Sequence, residues 1–336
     1  MAKQAHSRVR KRRRGCLGGC LVKIILLLGL AALLFVGACL TGIVRIDENT
    51  GAPQISFDHV ALPDQIGEMK LPQIDFSSLS AGSLSLPAWA YGVEKTGLTV
   101  KTLRAGAGEA VLVCCDGYTM LLGGGENGLL TAGQLLLCGA GNLSAAAAMD
   151  LHQGRTGGME IVLSLMKPTY LLYPGSQTKS AAFNSMIERA KKSGTQLIAP
   201  EQGLTFSLGR ATVRFVGPKY KHHTDERDDG LSVRIDYGNV SVLVMGGVTQ
   251  AAEREIISSG APMDADVLIC GLGGSEEATS GVLVTAVTPK IALMTGENPA
   301  NAVRVRLERV GCKVYTAKEH GVMTVHSDGR EIHVTP

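Results

Sequence analysis

The stretch LTVKTLRAGAGEAVLVCCDGYTMLLGGG, residues 98–125, sets the reading of the chain. Its three strand-like runs, LTVKTL, EAVLVCC and YTMLL, are separated by a Gly-rich segment and by Asp116-Gly117, and runs of this kind between such turns read as β-strands. Downstream, Ala182, Phe183, Met186, Ile187 and Ala190 fall at helical spacing and predict a helix over Ser180 to Ser193. Gly194 is its stop signal. The runs TQLIAP, ATVRFVGP, LSVRIDYG and VSVLVMGG follow as strands, then a helix over Gln250 to Ser259 and the strand DVLICG. A strand near KIALMTG, a helix over Ala302–Val310 and the strands KVYTA and VMTVHS complete the chain. Clustered strands with helices between them predict an α+β fold of layered sheets.

Upstream the composition changes. The chain has 336 residues and a net charge of +3, but residues 1–46 hold nine of its 33 Lys and Arg and no acid. The remainder carries 24 basic against 30 acidic residues, about −6. Such a body disfavours nucleic acid as a partner, because that affinity comes mainly from neutralised phosphates. Arg8, Arg10, Lys11, Arg12, Arg13 and Arg14 precede 21 uncharged residues, Ile24 to Val44. A helix of about 20 apolar residues crosses a bilayer. A basic flank stays in the cytoplasm. The expected order is therefore a basic cytoplasmic tail over 1–23, a single transmembrane anchor over 24–44, a Pro- and Ser-rich spacer over 45–96 and an extracytoplasmic body over 97–336. A second reading shares that outcome: Val36-Gly37-Ala38-Cys39 resembles a lipobox, which makes Cys39 a lipidated N-terminus. The apolar LTGIV after Cys39 favours the uncleaved anchor.

Hydrophobic residues make up 45% of the chain and aromatics only 4%, so the core is expected to be aliphatic. The body's cysteines, Cys114, Cys115, Cys138, Cys270 and Cys312, are odd in number and sit mostly in apolar runs. They read as small buried hydrophobes, and no CxxC spacing points to zinc.

Six segments in order carry a resemblance: residues 98–125; YPGSQTKSAAFNSMIERAKKSGTQLIAPEQGLTFSLG (173–209); RDDGLSVRIDYGNVSVLVMGG (227–247); DVLICGLGGS (266–275); VTPKIALMTGEN (287–298); and VRLERVGCKVYTAKEHGVMTV (305–325). Together they resemble the metallo-β-lactamase superfamily, in particular the hydrolase domain of the ComEC competence proteins and its soluble relatives. Gly106 and Gly108 match that family's VGQGD turn. The resemblance implies a four-layer αββα sandwich over about residues 97–336.

The resemblance also implies a site that has lost its chemistry. Working members bind one or two metals through His and Asp, and the metal makes hydroxide available near neutral pH. The family's HxHxDH motif corresponds here to Asp150-Leu151-His152-Gln153-Gly154-Arg155, in which only His152 is retained. Gly123 stands for the Asp of the IDGG turn, and Gly247 for the bridging Asp of the TGD turn. Leu272-Gly273 stand for the His pair of GHHGS, whose Gly274 and Ser275 remain, and no GHP segment occurs near Asn298–Asn301. Glycine has no ligand atom, and arginine is a permanent cation.

The expectation is a pseudo-hydrolase with no catalytic residue and no cofactor, acting in binding or scaffolding at the cell membrane. The alternative is an active phosphodiesterase or nuclease that holds zinc or manganese through unusual ligands. Arg155 is expected to face the vacated cleft, with Arg104 nearby. The two offer a small anionic ligand or an acidic protein segment bidentate hydrogen bonds, and the competing outcome is that Arg155 pairs with Asp150. The run KHHTDERDD, with His222, His223, Asp225, Glu226, Asp228 and Asp229, is read as a solvated loop rather than a second metal site. No GxSxG elbow or phosphate-binding loop is present.

Overall fold

The computed structural model describes residues 96–335 except 107 and 153–155, and the backbone of four short strands upstream. The chain divides into two compact units, 1–86 and 87–336. In the first, β1 (Val44–Ile46) pairs antiparallel with β2 (Pro53–Ile55), and β3 (Gln65–Ile66) with β4 (Met69–Lys70). The basic tail, the expected span up to residue 43, Cys39 and most of the spacer lie outside the described residues. Val44, the last residue of that span, opens β1. Among the described residues no helix is long and apolar enough to cross a membrane.

The second unit starts from its hairpins. β5 (Leu98–Thr102), β6 (Val111–Cys115) and β7 (Tyr118–Leu122) are antiparallel neighbours. Asp116 (φ 50°) and Gly117 (φ 85°) both take the left-handed conformation that a tight two-residue hairpin turn requires. The chain then alternates: α1 (Gly128–Leu137), β8 (Ala145–Ala147), α2 (Met159–Met166), β9 (Tyr170–Leu172), α3 (Ala181–Ser193) and β10 (Gln196–Ile198). These strands extend the sheet from β7 in parallel. β18 (Thr324–Ser327) pairs with β5, and β19 (Ile332–Thr335) forms the edge, giving eight strands in the order β10-β9-β8-β7-β6-β5-β18-β19.

The second sheet repeats this logic. β11 (Thr205–Leu208), β12 (Ala211–Gly217), β13 (Ser232–Tyr237) and β14 (Val240–Val244) are antiparallel. Parallel β15 (Val267–Ile269), β16 (Ile291–Met294) and β17 (Lys313–Thr316) follow, with α4 (Gln250–Ser258), α5 (Gly281–Val287) and α6 (Asn301–Glu308) as the crossovers. A one-turn α7 (Ala317–His320) leads to β18.

Three apolar layers hold the unit together. The one between the sheets includes Val100, Val113, Met120, Phe215, Val233, Ile235, Val244 and Ile269. One outer layer packs Leu112, Leu121, Leu135, Val162, Leu163 and Met186 beneath α1–α3, and the other packs Leu243, Leu268, Ile256, Leu283 and Leu307 beneath α4–α6. Central strands are therefore covered on both faces, and β6 and β14 are buried at every position. The five body cysteines are buried free thiols, and burial pushes Cys312 up to about 12.

Polar contacts fasten the ends. Ser180 caps α3 by accepting from the Phe183 N–H, and Gly194 (φ 79°) terminates it. Fully buried Glu253 of α4 accepts the backbone N–H groups of Thr279 and Ser280, which open α5. At the Asp116-Gly117 turn the Arg210 guanidinium donates to both carboxylate oxygens at 2.7 and 2.8 Å, tying the β6–β7 hairpin to the β11–β12 turn of the other sheet. That hydrogen bonding holds the Asp116 carboxyl well below its usual range.

A collapsed cleft at the strand ends

In open α/β sheets ligands bind beyond the carboxyl ends of the strands. Here those ends carry Gly123–Gly125 after β7, Asp150 and His152 after β8, Gly246 and Gly247 after β14, residues 271–275 after β15, and Thr295 and Gly296 after β16. The fold brings these segments together. Gly108, Glu109, Gly246, Leu272, Gly273, Thr295 and Gly296 surround one small cavity of about 30 Å³. That is room for a water molecule rather than a substrate.

Backbone contact closes the cleft. Gly246 accepts from the Leu272 N–H at 2.8 Å, Gly273 from the Gly296 N–H at 2.9 Å, and Gly274 from the Ala300 N–H at 2.9 Å. On the other sheet Gly125 donates to Glu109 at 3.0 Å and accepts from Gly158 at 2.9 Å. Leu272 and Gly273 take left-handed conformations (φ 50° and 65°), so the turn bends onto its neighbours.

Gly123, Gly247 and Gly273, which the sequence reading set at ligand places, are needed by this packing. A Cβ on Gly123 would collide with the Glu109 carbonyl. One on Gly273 would lie 2.8 Å from the Gly296 Cα. One on Gly247 would land on the Asp150 carboxylate. Asp150 is 2% exposed, and its other oxygen accepts the His152 backbone N–H at 2.6 Å, an Asx-type turn. His152 itself is exposed, and its carbonyl accepts from the Thr156 N–H and hydroxyl at 3.1 and 3.0 Å. Ser275 is half-buried and accepts from the Glu277 N–H.

The described residues at these strand ends do not form a cradle for a metal. Gly123, Gly247, Leu272 and Gly273 supply no donor atom, and the three glycines have no space for a donor-bearing side chain. Among the described residues no three His, Cys, Asp or Glu side chains are grouped to hold an ion.

Gly154 and Arg155 lie outside the described residues. Arg104 is exposed, and its backbone is clamped to α1: its N–H donates to Gln134 Oε1 at 2.9 Å, while its carbonyl accepts from the Gln134 amide. The sequence reading passed over Glu109, which is 8% exposed and lines the cavity. The signal was available, since it follows Gly108 at the acidic place of the VGQGD turn.

The acidic run after β12 needs correction. It is a partly buried ionic clasp rather than a solvated loop. Asp229 is 1% exposed and accepts from the His222 and His223 N–H groups at 3.0 and 3.1 Å, and its Oδ1 lies 2.6 Å from His223 Nδ1. The other ring nitrogen of His223 lies 2.9 Å from Glu255 of α4. Asp228 accepts the N–H and hydroxyl of Thr249, the cap of α4. Asp225 and Glu277 bracket the Arg227 guanidinium at 2.7 and 2.6 Å. A periodicity-free charge run hides this clasp, because its partners lie on α4 and in the loop before α5. Its effect is to fix the turn that carries Gly246 and Gly247.

No family model matches the chain. Over 191 residues it is 21% identical to ComE operon protein 3 of Bacillus subtilis, a match covering 55% of this chain and 25% of that protein. Over 115 residues it is 27% identical to the competence protein ComA of Neisseria gonorrhoeae, covering 34% and 16%. The chain thus spans a quarter or less of each relative's length. Among solved structures, the metallo-β-lactamase fold protein YhfI of Bacillus subtilis aligns with a TM-score of 0.45 at 15% identity, covering 67% of this chain and 98% of that one.

Two measurements test the site. Gly247→Ala should destabilise the protein by about 1–3 kcal/mol through overpacking, and much of that loss should vanish in an Asp150→Ala background, because the two side chains compete for one space. Additive losses in urea unfolding would contradict the collision.

The clasp predicts a pH effect. Burial alone would lower the His223 pKa, but the hydrogen bonds to Asp229 and Glu255 outweigh it and raise the value above 6.5. A raised folded value means that protonation stabilises the fold. The contribution is complete below pH 6.5 and is lost as pH rises through the raised value. His223→Gln should cost about 1–3 kcal/mol at pH 6 and less at pH 8.5. An equal loss at both pH values would exclude a protonated clasp.

Its aligned segments and its two-sheet sandwich relate this chain to the metallo-β-lactamase-fold proteins, with ComEC-like competence proteins among its relatives.

Proposed function

We propose that this chain is a membrane-anchored, extracytoplasmic pseudo-hydrolase: a metallo-β-lactamase-type body that binds or scaffolds and does not catalyse. One observation carries the reading. The Asp150 carboxylate fills the space that a bridging ligand at position 247 would need. Losing a ligand to drift would leave a gap, whereas here the neighbouring residues have packed into the ligand's place. Glycine-mediated closure at positions 123 and 273 points the same way. Hydroxide formation on a metal requires an open coordination position beside fixed donors, and among the described residues no three such side chains are grouped. The anchor rests on the basic cluster and the apolar stretch from Ile24 to Val44.

Elemental analysis of the purified chain should find no stoichiometric zinc, manganese or iron. Assays against phosphodiesters, β-lactams and thioesters should show no turnover that responds to added metal. Bound metal, together with turnover that chelation removes and metal restores, would establish the hydrolase alternative.

Topology is tested separately. Protease added to spheroplasts should digest the body and spare a short N-terminal fragment, and Cys39→Ser should leave the size and attachment of the protein unchanged. Full protection of the body would refute the anchor, and a mass shift in Cys39→Ser would favour the lipoprotein form.

A further inference from the structure

A helix packed on a sheet buries one stripe and turns a polar face to solvent. α3 does this, with Glu188, Arg189, Lys191 and Lys192 outside. α1 does not. Its sequence, GLLTAGQLLL, has no charged residue. Gly128, Thr131, Ala132 and Leu135 face the core, while Leu129, Leu130, Leu136 and Leu137 point outward. These four, and Leu165 on neighbouring α2, are each between 40 and 59% exposed.

The leucines form one patch. β7, β8 and β9 are parallel, so α1 and α2, which return between them, run the same way. The two helices meet at their beginnings, where Gly128 abuts Gly158 and Ile161. Leu165 lies one turn beyond Ile161 on the same stripe, and so falls beside the middle of α1. Gly133 sits among the outward leucines, and a Cβ there would meet nothing within 4 Å.

We infer that this face is a homodimer interface, in which α1 and α2 of one copy pack on α1 and α2 of a second. Two arguments select the occupant. The first is area. Five leucines at this exposure offer on the order of 400 Å² of apolar surface, the size at which an exposed patch marks an interaction site. With a polar rim of similar extent it reaches the roughly 800 Å² per partner of a standard interface. The second is charge. The body is net acidic, at about −6 over residues 47–336, so like-charged copies can meet only where no charges face each other, and α1 offers such a face. The same acidity opposes an anionic lipid surface or an acidic partner. A two-fold axis through the patch sets each copy's leucines against the other's, with Gly133 leaving room for the helices to cross closely.

The test uses the full-length chain in cells, so its result does not depend on where the chain resides. A benzoylphenylalanine photo-crosslinker replaces Leu136, and in a control it replaces Val310, an exposed apolar position beyond α6. The expected result is an adduct of twice the chain mass from position 136 and none from 310. Two differently tagged copies should co-purify, and Leu136→Glu combined with Leu165→Glu should cut that recovery at least tenfold while leaving the circular dichroism melt in place. If the double variant fails to fold, Leu130→Gln alone should still reduce recovery. Crosslinking from position 136 to lipid, to a different protein or within one chain, or the absence of any adduct, would overturn the proposal. So would undiminished co-purification of a folded variant.

Discussion

The architecture depends on backbone meeting backbone at the carboxyl ends of the strands. There the turn after β15 donates through Leu272 to Gly246 and accepts through Gly273 from Gly296. The turn after β7 lies so close to the start of α2 that a Cβ on Gly124 would be 2.5 Å from the Met159 N–H nitrogen. Each contact needs a residue without a side chain at the point of approach. The sandwich can close at this end only because glycine stands at those places.

That closure joins loops from both sheets and the helices behind them. The loop ends meet through hydrogen bonds and the Asp150 carboxylate, and among the described residues a cavity of about 30 Å³ lies beside Glu109 and Thr295. The clasp of Asp228, Asp229, His223 and Glu255 reinforces the same end by holding the loop after β12 to α4 and to its cap residue Thr249. The opposite end of the sandwich is pinned by Arg210 on Asp116. Both ends of the sandwich are thus tied by polar contacts between the sheets and helices.

Several glycines therefore carry two kinds of information. In the family resemblance Gly123, Gly247 and Gly273 correspond to ligand places. Read in three dimensions, they are sites of compulsory close approach, so restoring a ligand would require opening the loops as well as changing a residue. Leu272 fits the same picture. A side chain held at φ 50° is costly, and the neighbouring hydrogen bonds to Gly246 and Gly296 hold it there.

The linear sequence marked β5–β7, β10, β12–β18 and the helices α3, α4 and α6, because burial on both faces writes strands such as VLVCC and VSVLV as apolar runs, and a half-exposed helix writes α3 with a 3.6-residue period. It also set Gly123, Gly247 and Gly273 at the places that the family resemblance assigns to ligands, since a motif is read from identities. It did not yield α1, whose leucines on both faces erase the period by which a helix is found. Nor did it reveal the clasp, which joins His223 to Glu255 across 32 residues. Tertiary structure alone decided that Gly123, Gly247 and Gly273 stand at closed contacts rather than beside open space. The reason is that volume is shared between chain segments far apart in sequence, and whether the space beside Gly247 is open depends on Asp150, a residue from the other sheet.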